Sequence, residues 1–206
     1  MRRLRPSERH LVAVDPVMRR LVAALGPCTL RKSRRDPFAT LVESVVAQRI
    51  SSAAARTVSR RLAAQLGGRP TPTVVLAASP ESLRAAGLPT RKVEALRALA
   101  QRVLERRLAL DELGRRAPDE VEAALVEVPG IGPWTAQMFL IFHAAHPDVF
   151  PAGDLGVREG LRRAYGLPDR PTPSEARRRA APWAPHRSTA AWYLWRALDG
   201  PAALGG

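Results

Sequence analysis

The stretch Leu125-Val-Glu-Val-Pro-Gly-Ile-Gly-Pro-Trp-Thr-Ala136 decides how this chain is read. It joins one helical run, Asp119–Val126, to an apolar one, Trp134–Ala144, through a turn rich in glycine and proline. Pro129 ends the first helix, because proline cannot continue the hydrogen-bond ladder. Gly130 and Gly132 permit tight backbone angles, and no side chain of theirs shields the peptide N–H groups. Amides at the N-terminus of a helix form an anion site suited to a phosphate oxygen. A lone Gly-x-Gly is an ordinary turn between helices. The whole string, apolar before the glycines and Thr-Ala after them, is far more specific.

Helix signals continue on both sides. Asp15 precedes Pro16 and an apolar run Val17, Leu21, Val22, Leu25, which Gly26-Pro27 stops. Asp36-Pro37 opens a second helix with Phe38, Leu41, Val42, Val45 and Val46 on one face. Gln48-Arg49-Ile50-Ser51 interrupts it, and Ser51 or Ser52 caps a third that runs to residues 63–66. The composition of Gly67–Thr73 predicts a loop. A short helix runs from Ser79-Pro80 to Gly87, and a longer amphipathic one follows Thr90 through Leu104. In the second half, His146–Asp154 is extended or looped, and Leu155–Tyr165, Ser174–Ala180 and Ser188–Leu198 are helical. Val74-Val-Leu76 is too short for a strand, and no alternating pattern appears elsewhere. The expected class is all-α, about ten helices, with an irregular start and an irregular Pro201–Gly206 end.

Charge narrows the partners. The 206 residues carry 33 basic and 19 acidic side chains, a net charge of +14, and only Lys32 and Lys92 among the basic ones are lysines. Such an excess favours a polyanion. The single cysteine, Cys28, excludes internal disulfides, a Cys-ligated zinc site and a four-cysteine iron–sulfur cluster. No apolar run approaches the ~18 residues of a membrane span, and the apolar stretch after the basic start is short for a signal peptide. The histidines at 10, 143, 146 and 186 lack metal-ligand spacing. The expectation is a soluble protein of the cytoplasm.

The Leu125–Ala136 string resembles the helix-hairpin-helix of base-excision DNA glycosylases. In that superfamily a Gly/Pro-rich loop and an aspartate follow about twenty residues after the hairpin; here Asp154 stands in Phe150-Pro-Ala-Gly-Asp-Leu-Gly-Val157. Val45-Val-Ala-Gln-Arg-Ile-Ser-Ser52 is similar to the family's Gln-Gln-(Ile/Leu)-Ser segment, with Arg49 in place of the second Gln. Ala86-Gly-Leu-Pro-Thr-Arg-Lys92 is similar to its Gly-x-Ser-x-x-Lys helix, with Pro89 at the small-residue position. Trp183-Ala-Pro-His-Arg-Ser-Thr-Ala-Ala191 resembles a helix typical of the 3-methyladenine-DNA glycosylase II subfamily. The likeness spans residues ~10–198, in order. Members can carry an extra N-terminal β domain, which this chain is expected to lack. The resemblance implies a single domain over residues 1–206, made of two helical subdomains with a DNA-binding cleft between them. One is expected over about 30–125. The other combines about 1–29 with 126–206, and holds the hairpin, 125–136.

Excising a base from duplex DNA requires that it leave the stack. The positive charge developing on the sugar must be stabilised, or a water activated, by a carboxylate. Asp154 has the position for this role at a helix N-terminus, where aspartate is also an ordinary N-cap. A lyase step needs an amine nucleophile. In lyase members a lysine directly precedes the Thr-Ala of the hairpin helix; here that residue is Trp134. The expectation is a monofunctional hydrolase that needs no cofactor. Electron-poor alkylated purines such as 3-methyladenine and 7-methylguanine are attracted to indole faces by stacking and cation–π contact. Alignment with the subfamily assigns Trp134 and Trp195 to the base pocket, with Met138 as an apolar wall. Trp183 and Trp192 are expected to pack the helices.

Gly130, Gly132 and Thr135 are expected to meet DNA. The side chain filling the gap left by the flipped base is either Gln48 or a residue of the Gly67–Thr73 loop such as Arg69, and Gln48 serves equally well as an amide stapling two helices. Arg56, Arg60, Arg61, Arg91, Arg158, Arg162 and Arg163 are candidates for phosphate contact. The resemblance also implies a cation held by the backbone carbonyls of Val126, Val128 and Ile131, bridging to phosphate. The expected substrate is therefore double-stranded DNA carrying an alkylated base. Two alternatives remain: a glycosylase for uracil or mismatched thymine, and a non-catalytic DNA-binding module. Asp154 weighs against the module, and the tryptophan pair against a pyrimidine enzyme.

Overall fold

The computed structural model describes residues 3–113 and 116–199. The described helices are α1 (Pro6–Val14), α2 (Pro16–Leu25), α3 (Pro37–Ala47), α4 (Ser52–Gln65), α5 (Pro72–Ala77), α6 (Pro80–Ala85), α7 (Thr90–Leu104), α8 (Leu110–Leu113), α9 (Pro118–Val126), α10 (Pro133–Phe142), α11 (Leu155–Ala164), α12 (Pro173–Ala180) and α13 (Arg187–Asp199). A 3-10 turn, Ala181–Trp183, precedes α13. No strand occurs among the described residues, so the all-α expectation holds. The expected irregular tail, Pro201–Gly206, lies outside them.

The many prolines do not oppose this helicity, because they start helices. Eight of the α-helices begin with proline at their first position, where its missing N–H breaks no bond and its φ is already helical. The residue before it supplies the cap. Asp15 accepts from the amides of Val17 and Met18, Asp36 from Ala39, Thr71 from Val74, Ser79 from Ser82, and Thr172 from Glu175. The same device corrects two readings. Thr71-Pro72 ends the expected loop early and opens α5, which contains Val74-Val-Leu76. The start of the chain is likewise ordered from Pro6, as α1. Leu11 is fully buried there, and the buried Glu8 carboxylate accepts from the Arg5 and Cys28 amides at 2.8 and 2.9 Å and from the Tyr193 hydroxyl at 3.0 Å.

The chain divides into two compact units, one of Met1–Arg31 with Ala145–Gly206, the other of Lys32–Ala144. In the first, α1, α2, α11 and α13 surround a core that includes Leu11, Met18, Leu21, Val157, Leu161, Trp183 and Tyr193. Asp15 ties the capping of α2 to that core by accepting from Trp183 Nε1 at 2.9 Å and from the Tyr165 hydroxyl at 2.5 Å. In the second unit, α3 packs against α4, α7, α8 and α10, and buries Phe38, Leu41, Val42, Val45 and Val46. Here the expected boundary is corrected: residues 126–144 belong with Lys32–Ala144, not with the terminal unit. The physical reason is the apolar surface of α10. Ala136, Phe139, Leu140 and Ile141 are buried, and α10 packs on α9 and α3. Burying a large aliphatic or aromatic side chain is worth ~1.5–3 kcal/mol, which keeps the hairpin with its neighbours.

Candidate functional site

Helices α9 and α10 meet through Glu127–Gly132 as the string predicts. Gly130 lies at φ +83°, a region that L side chains rarely adopt. A Cβ there would stand 2.5 Å from Ala95 Cβ on α7, so glycine is also required for the turn to seat on α7. Gly132 differs: it is the N-cap of α10 at φ −106°, and a Cβ there would meet nothing within 4 Å. Nothing in the fold of this unit therefore demands glycine at 132. Its carbonyl accepts from the amides of Thr135 and Ala136 at 3.0 and 3.2 Å, which starts α10. Trp134 is half-buried in the first turn of α10, and the buried Met138 follows on the same face one turn later.

The turn is braced from behind. Gln48, the C-cap of α3, donates through Nε2 to Gly130 O at 3.1 Å and to Thr135 Oγ1 at 2.8 Å. Of the two roles open to Gln48, the structure thus displays the staple. Thr135, expected at the DNA, is only 1% exposed; its hydroxyl serves Gln48 and cannot reach a ligand in this arrangement. Lys92 of α7 donates through Nζ to Val46 O at 2.7 Å and Gln48 O at 2.9 Å. A cation there suits the carbonyl end of α3, and desolvation holds its pKa below the usual lysine value.

Sequence reasoning passed over the residues next to Gln48. Arg49 takes a left-handed conformation at φ +59°, and both Arg49 and Ile50 are exposed, Ile50 at 41%. The only hint was the break between α3 and the Ser51 cap. Arg69, the other wedge candidate, is exposed in the connection after α4. Gln48 precedes α4 and Arg69 follows it, so the helix separates them by ~20 Å at 1.5 Å per residue. The structure does not bring these two candidates together.

Asp154 is the N-cap of α11. Its Oδ1 accepts from the Val157 amide at 2.7 Å and from the indole Nε1–H of Trp195 at 2.8 Å. The two residues are 41 apart in sequence and meet because α11 and α13 pack together. Their close approach depends on α11 glycines: a Cβ at Gly160 would stand 2.4 Å from Leu194 O, and one at Gly156 3.0 Å from Trp195 Cδ1. Trp134 and Met138 belong to the other unit. Trp183 and Trp192 are buried, as expected; Trp192 packs edge-on against Tyr193, with Arg196 over its ring.

Among the candidate arginines, Arg56, Arg60, Arg61 and Arg91 are exposed. Arg91 is also close to the hairpin, because its carbonyl would lie 3.8 Å from a Cβ on Gly130. Arg162 and Arg163 are instead paired with Glu159 at 2.9 Å each, and these guanidiniums hold the Glu159 carboxyl at about 2. Arg158 donates to Pro171 O. Among the described residues no group of three or more His, Cys, Asp or Glu could hold a metal ion. The turn carbonyls form a different donor set of neutral oxygens, which suits a hard cation. Val126 ends α9, so its carbonyl lies past the helical ladder. Val128 O accepts from the Ile131 amide at 3.0 Å and keeps a second lone pair. Neutral carbonyl oxygens of this kind are the donor type such an ion takes.

Among the described residues, no helix is long and apolar enough to cross a membrane. DNA-3-methyladenine glycosylase 1 of Schizosaccharomyces pombe is 33% identical over 94% of this chain and 87% of its own. The solved structure of the 3-methyladenine DNA glycosylase Mag1 of that yeast, in complex with abasic DNA, superposes with a TM-score of 0.91 at 31% identity, covering 98% of this chain and 100% of that one. A DNA-3-methyladenine glycosidase from Bacillus halodurans gives a TM-score of 0.80 at 32% identity, over 94% and 89%. The family model for HhH-GPD superfamily base excision DNA repair proteins matches residues 42–186. With its hairpin turn seated on α7 and an aspartate capping the helix that follows, the chain belongs to the HhH-GPD superfamily of base excision DNA repair proteins.

Proposed function

We propose that this protein is a monofunctional DNA glycosylase that hydrolyses the N-glycosidic bond of alkylated purines, of the 3-methyladenine and 7-methylguanine type, in base excision repair. The observation that carries the reading is the Asp154 carboxylate, oriented at the N-terminus of α11 by two N–H donors, in a chain similar along nearly its whole length to 3-methyladenine glycosylases. A DNA-binding module has no use for a carboxylate fixed in this way.

The chemistry follows from the substrate. The bond between C1′ and the purine nitrogen breaks, and the base leaves with the electron pair. An alkylated purine that is already cationic departs as a neutral molecule, so no proton donor is needed. Positive charge builds on the sugar and Asp154 stabilises it, a preorganised electrostatic role. Water adds to C1′ and loses a proton, leaving an abasic site. The hairpin amides at Gly130 and Gly132 take a backbone phosphate and carry no base identity. A cation on the carbonyls of Val126, Val128 and Ile131 would add charge at the same phosphate. Trp134, Met138 and Trp195 select the base, and Arg49 or Ile50, exposed beside the bracing Gln48, fills the gap it leaves. Arg69, exposed after α4, is the other candidate for that gap. A DNA substrate sets the enzyme to work inside the cell at the nucleoid, as a monomer.

Duplexes carrying a single 7-methylguanine, uracil or mismatched thymine separate this reading from the pyrimidine alternative. Base release from the first alone is expected; release from uracil or thymine duplexes with none from 7-methylguanine would replace the reading. The lyase question has its own test. Trp134 stands where a lyase carries its amine, Lys92 Nζ is spent on two carbonyls, and Lys32 is exposed. Borohydride should therefore trap no covalent DNA adduct and abasic strands should remain whole. Trapping that vanished on replacing Lys32 or Lys92 would overturn the monofunctional assignment.

A further inference from the structure

We infer that Trp195 is a positioning residue for Asp154, and that glycine at 156 on α11 exists to let its indole reach the carboxylate. This deepens the proposed function and rests on the catalytic role of Asp154. Three features converge. The Trp195 indole N–H is aimed at Asp154 Oδ1 at 2.8 Å, the same oxygen that accepts from the Val157 amide at 2.7 Å. An oxygen held by two donors fixes the carboxylate's rotation, and so fixes where the second oxygen points. The distance is set by the helix pair. Gly156 and Gly160 lie one turn apart on one face of α11, and at Gly160 the Leu194 carbonyl comes within 2.4 Å of where a Cβ would be. That contact seats the backbone of α13 directly on α11. At Gly156 an added Cβ would fall 3.0 Å from Trp195 Cδ1, 3.2 Å from its Nε1 and 3.1 Å from Asp154 Oδ1. A methyl group there would press between the donor and the acceptor, and its φ is not in the left-handed region, so conformation alone does not ask for glycine. A tryptophan acting only as a stacking surface needs neither an N–H directed at the aspartate nor an empty position between them.

The test is a double-mutant cycle on single-turnover base release, with duplex affinity measured alongside. Trp195→Phe keeps an aromatic ring and removes the donor. It should slow release about tenfold in the native background, the scale of a hydrogen bond to a charged group. With Asn at position 154 it should slow release less than about twofold, because no charged carboxylate remains to be aimed. Gly156→Ala should also slow release, and combined with Trp195→Phe it should cost less than the product of the two single effects, since the displaced donor is gone and only the 3.1 Å approach to Asp154 Oδ1 remains. Duplex affinity should stay within a few-fold throughout, because none of these changes touches a phosphate contact. Effects of Trp195→Phe that simply multiply with those of Asp154→Asn would overturn the inference and leave Asp154 in its role. Near-native release by Asp154→Asn alone would remove the catalytic aspartate and the inference with it.

Discussion

Asp154→Asn should lower base release by about 10²–10³-fold, the scale of losing a main electrostatic stabiliser, while duplex affinity changes by no more than a few-fold. The substitution is clean for a structural reason. Asp154 caps α11 by accepting from the Val157 amide, and asparagine caps as well as aspartate. Its side-chain oxygen can still accept from Val157 and from Trp195, so the fold and the local geometry survive while the negative charge is lost. Single-turnover rates on a duplex with one alkylated purine, paired with equilibrium binding, check both halves of the prediction. Near-native release would take Asp154 out of the chemistry.

The second large effect separates the two hairpin glycines. Gly132→Leu should leave the protein folded, with stability changed by about 1 kcal/mol, the penalty of a poor N-cap, because the space around it is open and its φ suits any residue. Binding to DNA of every sequence should nonetheless fall, with the slope of log affinity against log salt little changed, because the lost donor is a neutral amide and no cationic side chain is removed. The ranking of lesions should persist in whatever turnover remains. Gly130→Ala should fail differently. Its Cβ would collide with Ala95 and its φ of +83° is strained for alanine, so a loss of ~1–3 kcal/mol of stability is expected. Thermal unfolding with salt-dependent binding distinguishes the two. A Gly132→Leu variant that bound DNA normally would remove the hairpin from the phosphate contact.

These contrasts also mark what the sequence made legible. The hairpin, the capping role of Asp154 and most helix starts are local matters: a cap residue, a proline at the first position, a glycine where the chain turns. Such signals lie within four residues of one another and can be read directly. What escaped is long-range. Helix α1 is secured by a buried carboxylate whose partners are 20 and 185 residues away. The unit boundary depends on which neighbours α10 finds for its apolar surface, and periodicity does not name neighbours. Thr135 reads as an exposed first-turn residue until Gln48, 87 residues distant, closes over it. The glycines of Gly156-Val-Arg-Glu-Gly160 were visible as a one-turn spacing, yet their meaning depends on Trp195 arriving from α13. Arg49 was marked only by the break after α3 and by standing where the family carries its second Gln; its left-handed conformation leaves no mark in composition.

The most direct test of the central claim is chromatography of the bases set free when the protein acts on duplex DNA treated with a simple methylating agent. The account predicts that free 3-methyladenine and 7-methylguanine appear with time, that unmodified bases stay in the polymer, and that the strands remain unbroken at the abasic sites. Tight binding to the same DNA with no free base released, or strands cleaved as fast as bases appear, would contradict it.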